Sequence, residues 1–151
     1  MIEDEVQRTI LYAIGCGEAS IAILCSLTIV YTYLRFKELR KKSLELVVYL
    51  AISDIGGNIG DTLGYNHTGA LCTFQAMLFQ FFDMASVLWT VVIAYTLYSV
   101  VVKQVNVSVL WPFHLFVWGG SAFLMLLPTT TNSYGDSGPW CWIRAEMNEN
   151  W

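Results

Sequence analysis

Charge is what this sequence has least of. Asp, Glu, Lys and Arg make up 13% of its 151 residues, while 56% are hydrophobic. A soluble domain carries roughly a quarter charged residues over its surface, so the composition argues against a water-soluble enzyme or binding domain. Histidine is nearly absent as well: only His67 and His114 occur, with nothing like His-Glu-x-x-His. No metal site and no cofactor is therefore expected. There is no phosphate-cradling glycine loop, because the glycine-rich stretch shares its run with acids that repel phosphate. Neither a Ser/His/Asp nor a Cys/His arrangement emerges, so no catalytic residue is assigned and no enzyme is expected. A basic opening is missing too. The chain starts with Glu3, Asp4 and Glu5, whereas a cleavable signal opens on positive charge. The first apolar run is accordingly read as a retained signal-anchor.

What is present is four long apolar runs between clumps of charge. They are placed at about 10–33, 44–63, 73–102 and 110–127, near the ~20 residues that cross a hydrocarbon core. The tail, 128–151, follows the last. The fold expected is all-α: a polytopic membrane bundle of four transmembrane helices. Cys72 to Val102 would make a helix of ~46 Å, against a core of ~30 Å, so the third helix must tilt or project. The net charge of −4 says little, since it averages over two aqueous faces. Orientation follows from Lys and Arg in the loops. Arg35, Lys37, Arg40, Lys41, Lys42 and Lys103 lie on one side, and Arg8 and Arg144 on the other. That split puts the two basic loops in the cytosol and both the N-terminus and the tail outside. The basic run 35–42 is secondarily a contact for anionic lipid, and no nucleic-acid partner is expected.

The stretch LAISDIGGNIGDTLGYN, Leu50 to Asn66, is unusual for a span. On a helix, Asn58 falls about 40° and Asp61 about 20° from Asp54, which makes one polar stripe. Val48, Ile52, Ile55, Ile59 and Leu63 form an aliphatic side suited to lipid. Ser53, Gly56, Gly57, Gly60 and Gly64 form a side of small residues that lets a neighbouring helix approach closely. An Asp at the bilayer centre costs about 3 kcal/mol, so the polar stripe must face protein or trapped water. The third run has its own stripe of Gln80, Asp83, Ser86 and Thr90, and the first carries Glu18. Intramembrane acids default to ligand, ion or proton sites; the alternative for each is a protonated or hydrogen-bonded helix contact. Glu18, Asp61, Gln80, Asp83, Trp140 and Trp142 are taken as ligand-binding candidates, and Asp54 with Asn58 as a polar switch or ion site. Cys16 and Cys25 lie within the first span, where small apolar filler is the default. Cys72 and Cys141 both fall on the oxidising side, where a disulfide is allowed. Trp140 and Trp142 suit the outer interface, or a lid over the cavity. Asn66-His67-Thr68 is a glycosylation acceptor close to the bilayer, and His114 is placed at the cytosolic interface.

These residues resemble a known family. LCTFQAMLFQFFDMASVLWTVVIAYTLYSVVV, Leu71 to Val102, closely resembles the third helix of the slime-mould-type cyclic-AMP-receptor-like G-protein-coupled receptors. YLAISDIG looks like their second helix, with Asp54 at its motif Asp. HLFVWGG, His114 to Gly120, resembles their fourth helix, and GPWCWI, Gly138 to Ile143, their second extracellular loop. The resemblance implies that Cys141 is the partner of Cys72. It implies that Trp89, Trp118 and Gly119 serve helix packing, beside Gly56, Gly60 and Gly64. It implies a plasma-membrane receptor with an extracellular small-molecule ligand, the lipid bilayer around it, and a heterotrimeric G protein inside once the remaining helices are supplied. Two departures stand out. Gly120, Ser121 and Ala122 follow where the family often has Pro, and the sequence stops where the family's fifth helix would soon begin. The expectation is thus the first four of seven helices. Two other readings compete: a four-span non-signalling scaffold or adhesion protein, and an ion carrier built on Asp54, Asp61 and Asp83. The carrier reading would be supported by inverted repeats, and none is visible.

Overall fold

The computed structural model describes residues 2–63, 69–105, 109–137 and 140–144. Four helices follow in chain order: α1 (Ile2–Arg35), α2 (Lys42–Thr62), α3 (Ala70–Val101) and α4 (Trp111–Thr130). A single 3-10 turn, Lys37–Leu39, joins the first two. Then come β1 (Tyr134–Asp136) and β2 (Cys141–Ile143), an antiparallel pair with Gly135 opposite Trp142. Among the described residues, the regular structure is helical except for this hairpin. The hairpin was not expected, because three-residue strands are too short for an alternating pattern to show.

The helices outrun the apolar runs at several ends. The first begins at Ile2, well before residue 10. The third starts at Ala70 behind Gly69, whose φ of 71° glycine adopts without a Cβ clash. The fourth opens with Pro112 in its first turn, where a missing N–H costs nothing. It continues through Pro128 to Thr130, three residues beyond the expected limit. α1 from Glu5, α3 and α4 are each long and apolar enough to cross a membrane. α2 falls short of the same standard because Lys42, Glu45, Asp54, Asp61 and its glycines dilute it. It compensates by packing between α1 and α3, its two main neighbours. Lipid is left to residues such as Ile14, Ile21 and Leu24 on α1, each more than 60% exposed.

The interior is centred on Trp89 of α3, fully buried against Leu46, Ala85, Val92 and Val117. Tyr49 stacks on Trp89 at 5.1 Å, and Trp118 meets its edge at 6.0 Å. His114 completes the group, 4.5 Å from the Tyr49 ring, with Nδ1 accepting the Trp118 indole N–H at 3.3 Å. His114, in the first turn of α4, packs its imidazole among these aromatic rings.

The small-residue side of α2 lies on α3. Gly56 faces the Phe82 ring, and a Cβ on Gly60 would sit 3.5 Å from the Phe79 backbone nitrogen. Gly64 and Asn66 lie outside the described residues, as does His67. Two expectations fail. Val48, assigned to the lipid side, is 8% exposed, because it lies near the start of α2, where the neighbouring helices cover it. Gly119, assigned to packing, meets nothing within 4 Å; Gly120 is the residue that faces α3, through Leu88 at 3.3 Å. One helical position is about 100° of rotation, enough to turn Gly119 outward.

Candidate functional site

The helices deliver two separate polar sites. Toward one end of the bundle, α1, α2, α3 and the residue before β2 enclose a cavity of about 180 Å³. Tyr12, Gly15, Cys16 and Ala19 of α1 line it at helical spacing, with Glu18 beside them. Asn58 and Asp61 come from α2, Phe79 from α3, and Trp140 from the hairpin. A stripe of small residues on α1 makes the hollow: Gly15 and Cys16 lie one turn from Ala19 on the same face, and the larger side chains around them form walls. Ligand pockets usually begin near ~300 Å³, so this one suits a small ligand or one end of a larger one.

The hairpin is held over this region by covalent and polar links. Cys72 and Cys141 form a disulfide with Cα atoms 5.3 Å apart. Trp142 Nε1 donates to Gln80 Oε1 at 2.8 Å, and its ring meets Phe79 edge-on at 5.9 Å. Tyr134 donates its hydroxyl to the Met125 carbonyl at 2.7 Å, and burial raises its pKa. Arg8 of α1 reaches Asp136 at 3.4 Å across an exposed contact. A second cavity, of about 360 Å³, lies outside the helices between the first turn of α3 and the strands, and includes Thr73, Asp136 and Arg144.

Deeper, Ser86 Oγ donates to Asp54 Oδ1 at 2.6 Å, linking α3 to α2. The Asn58 amide donates to the Asp54 backbone carbonyl at 2.6 Å. Asp54 and Asn58 thus share a face, but the Asp54 carboxylate turns to Ser86 while Asn58 bonds to the Asp54 main chain. Near them, Asp83 places Oδ1 3.5 Å from where a Cβ on Gly57 would stand.

Of the ligand-binding candidates, Glu18, Asp61 and Trp140 meet in the cavity. Gln80 and Trp142 pair beside it, and Asp83 sits next to Gly57 rather than in its lining. Among the described residues, no group of three His, Cys, Asp or Glu residues is placed to hold a metal ion. The sequence reading missed Tyr12 and Phe79 and took Cys16 for filler. The stripe at Tyr12, Gly15, Cys16 and Ala19 was the available signal, but on a helix that looked apolar all round it did not stand out.

Residues 5–151 match the family described as 7 transmembrane receptor (Secretin family). The chain belongs to that family. It is 42% identical over 142 residues to G-protein coupled receptor 1 of Arabidopsis thaliana, covering 93% of this chain and 44% of that one. It is 28% identical to Cyclic AMP receptor-like protein A of Dictyostelium discoideum, over 83% of this chain and 34% of the relative. G-protein coupled receptor 157 of Mus musculus is 26% identical, over 86% and 43%. The chain therefore spans less than half the length of these receptors. It is a multi-pass helical membrane protein of a receptor family, and its disulfide ties the third helix to the segment after the fourth.

Proposed function

We propose that this chain is the first four helices of a G-protein-coupled receptor of the cyclic-AMP-receptor-like type in the plasma membrane. It takes an extracellular small molecule in the cavity beneath Trp140. With the rest of the receptor it passes the signal to a heterotrimeric G protein at the basic end, where Arg35, Lys42 and Lys103 gather. The observation that carries the reading is the cavity itself, closed by three helices and by a hairpin that the Cys72–Cys141 bond fixes to α3. Kinship with a Dictyostelium receptor of that type supports the subtype, and the six basic residues of the two loops support a cytosolic basic end. In this reading Asp54, through Ser86, is the polar switch between α2 and α3.

The test is a G-protein dissociation sensor co-expressed with the full-length receptor and challenged with a panel of small extracellular metabolites. A response should appear at the surface-delivered protein and be weakened at least tenfold by Trp140→Ala and Asp61→Asn at equal delivery. A response that both variants leave untouched moves the ligand elsewhere.

A further inference from the structure

Resting on that reading of the cavity, we infer that its ligand is a small organic cation with an ammonium group, not an anionic nucleotide. The cavity carries two carboxylates, Glu18 and Asp61, and among the described residues no Lys or Arg lines it. The basic residues sit elsewhere. Arg35, Lys37, Arg40, Lys41, Lys42 and Lys103 are at the far end, Arg8 reaches Asp136, and Arg144 lies against Gly135. A phosphate entering here would meet two carboxylates and no counter-charge, at separations where a low-dielectric surrounding magnifies repulsion. An ammonium ion meets the opposite field. The rest of the wall suits it too: Tyr12, Phe79 and Trp140 bring three aromatic rings to one small hollow, and aromatic faces attract cations within about 6 Å. A cation also lifts the penalty of holding carboxylates in apolar surroundings.

Cys16, a free thiol in the wall, is a built-in reporter. Membranes carrying the full-length protein are treated with three methanethiosulfonates: neutral methyl, cationic trimethylammonium-ethyl and anionic sulfonato-ethyl. The Cys16 peptide is then quantified by mass spectrometry, with rates normalised to a free thiol in solution. The cationic reagent should react at least tenfold faster than the anionic one. Glu18→Gln with Asp61→Asn should bring that ratio close to one. In the unmutated protein, tetramethylammonium should slow neutral labelling and cyclic AMP should not, a measurement that needs no variant to fold. A ratio near one with ready neutral labelling, or protection by cyclic AMP alone, overturns the cation inference and leaves the cavity standing. Failure of even the neutral reagent overturns both, since the cavity is then closed to ligands.

Discussion

At the residue scale, the contacts that decide behaviour are between one atom and the next helix. Ser86 supplies the hydroxyl that Asp54 accepts. Removing a partner from a half-buried carboxylate leaves desolvation uncompensated, which costs about 1–3 kcal/mol. Ser86→Ala should lose roughly that much stability in detergent, and far less in an Asp54→Asn background, because the carboxyl that takes the hydroxyl is gone. Equal losses in both backgrounds would show that the bond contributes nothing. Asp54→Asn by itself should keep surface delivery but change coupling in the complete receptor; identical responses over a sodium titration would reduce Asp54 to a helix contact. The glycines separate in the same way. A Cβ on Gly60 makes ordinary contact with the Phe79 backbone at 3.5 Å, so alanine is accommodated, while the further methyl groups of Gly60→Val meet main chain that cannot rotate away. Gly60→Val should cost about 1–3 kcal/mol. Gly119→Ala, with nothing within 4 Å, should instead stabilise by about 0.5–1 kcal/mol. Thermal unfolding of both variants checks the contrast.

At the scale of elements, the hairpin depends on what holds it to α3. The disulfide spans 69 positions, and closing a loop of that size contributes on the order of 4 kcal/mol on the chain-entropy model. Cys72→Ser and Cys141→Ser should each reduce surface delivery sharply, and the double variant should be no worse, since either change removes the whole bond. Cys16→Ser and Cys25→Ser should be mild. Additive defects in the double variant would mean the two positions act separately. Tyr134 adds a pH dependence. Its folded pKa is raised by burial, so its contribution is fully present below the ordinary tyrosine value of ~10. Above that value the unfolded state ionises first and binds fewer protons, so stability falls as pH rises. Amide exchange in the hairpin should quicken from about pH 10 upward, and Tyr134→Phe should remove that part of the slope.

At the scale of the whole molecule, the charge split and the fold agree on two unlike ends. One holds the loops with Arg35–Lys42 and Lys103; the other holds the disulfide, the hairpin and the cavity. A tag at Lys41 should be hidden on unpermeabilised cells, and a tag at the N-terminus stained. Staining at Lys41 alone would invert the orientation and place the cavity on the cytosolic side. α2 also has meaning only at this scale. It is marginal as a lone span, so its insertion should depend on α1 and α3. Replacing Gly56 and Gly60 together by leucine should lower α2 insertion more than either change, as read by glycosylation mapping of the loops.

The sequence by itself determined the helices, their order and their two ends, because hydropathy and Lys/Arg placement act locally and survive without knowledge of neighbours. It placed Asp54, Asn58 and Asp61 on one side of α2, since helical rotation alone sets that. It allowed the cysteine pair, since both fall at the end away from the basic loops. Only the tertiary structure decided which polar residues meet. Rotation does not say where a neighbouring helix stands, so Asp54 went to Ser86 while Asp61 joined Glu18, and Gly120 rather than Gly119 faced α3. Val48 was drawn inside for the same reason: burial belongs to the packed pair, not to one helix. The hairpin was beyond reach as well, because six residues in two short strands carry no periodic pattern, and contacts from elsewhere in the chain, the disulfide and the Tyr134 packing, hold them against α3.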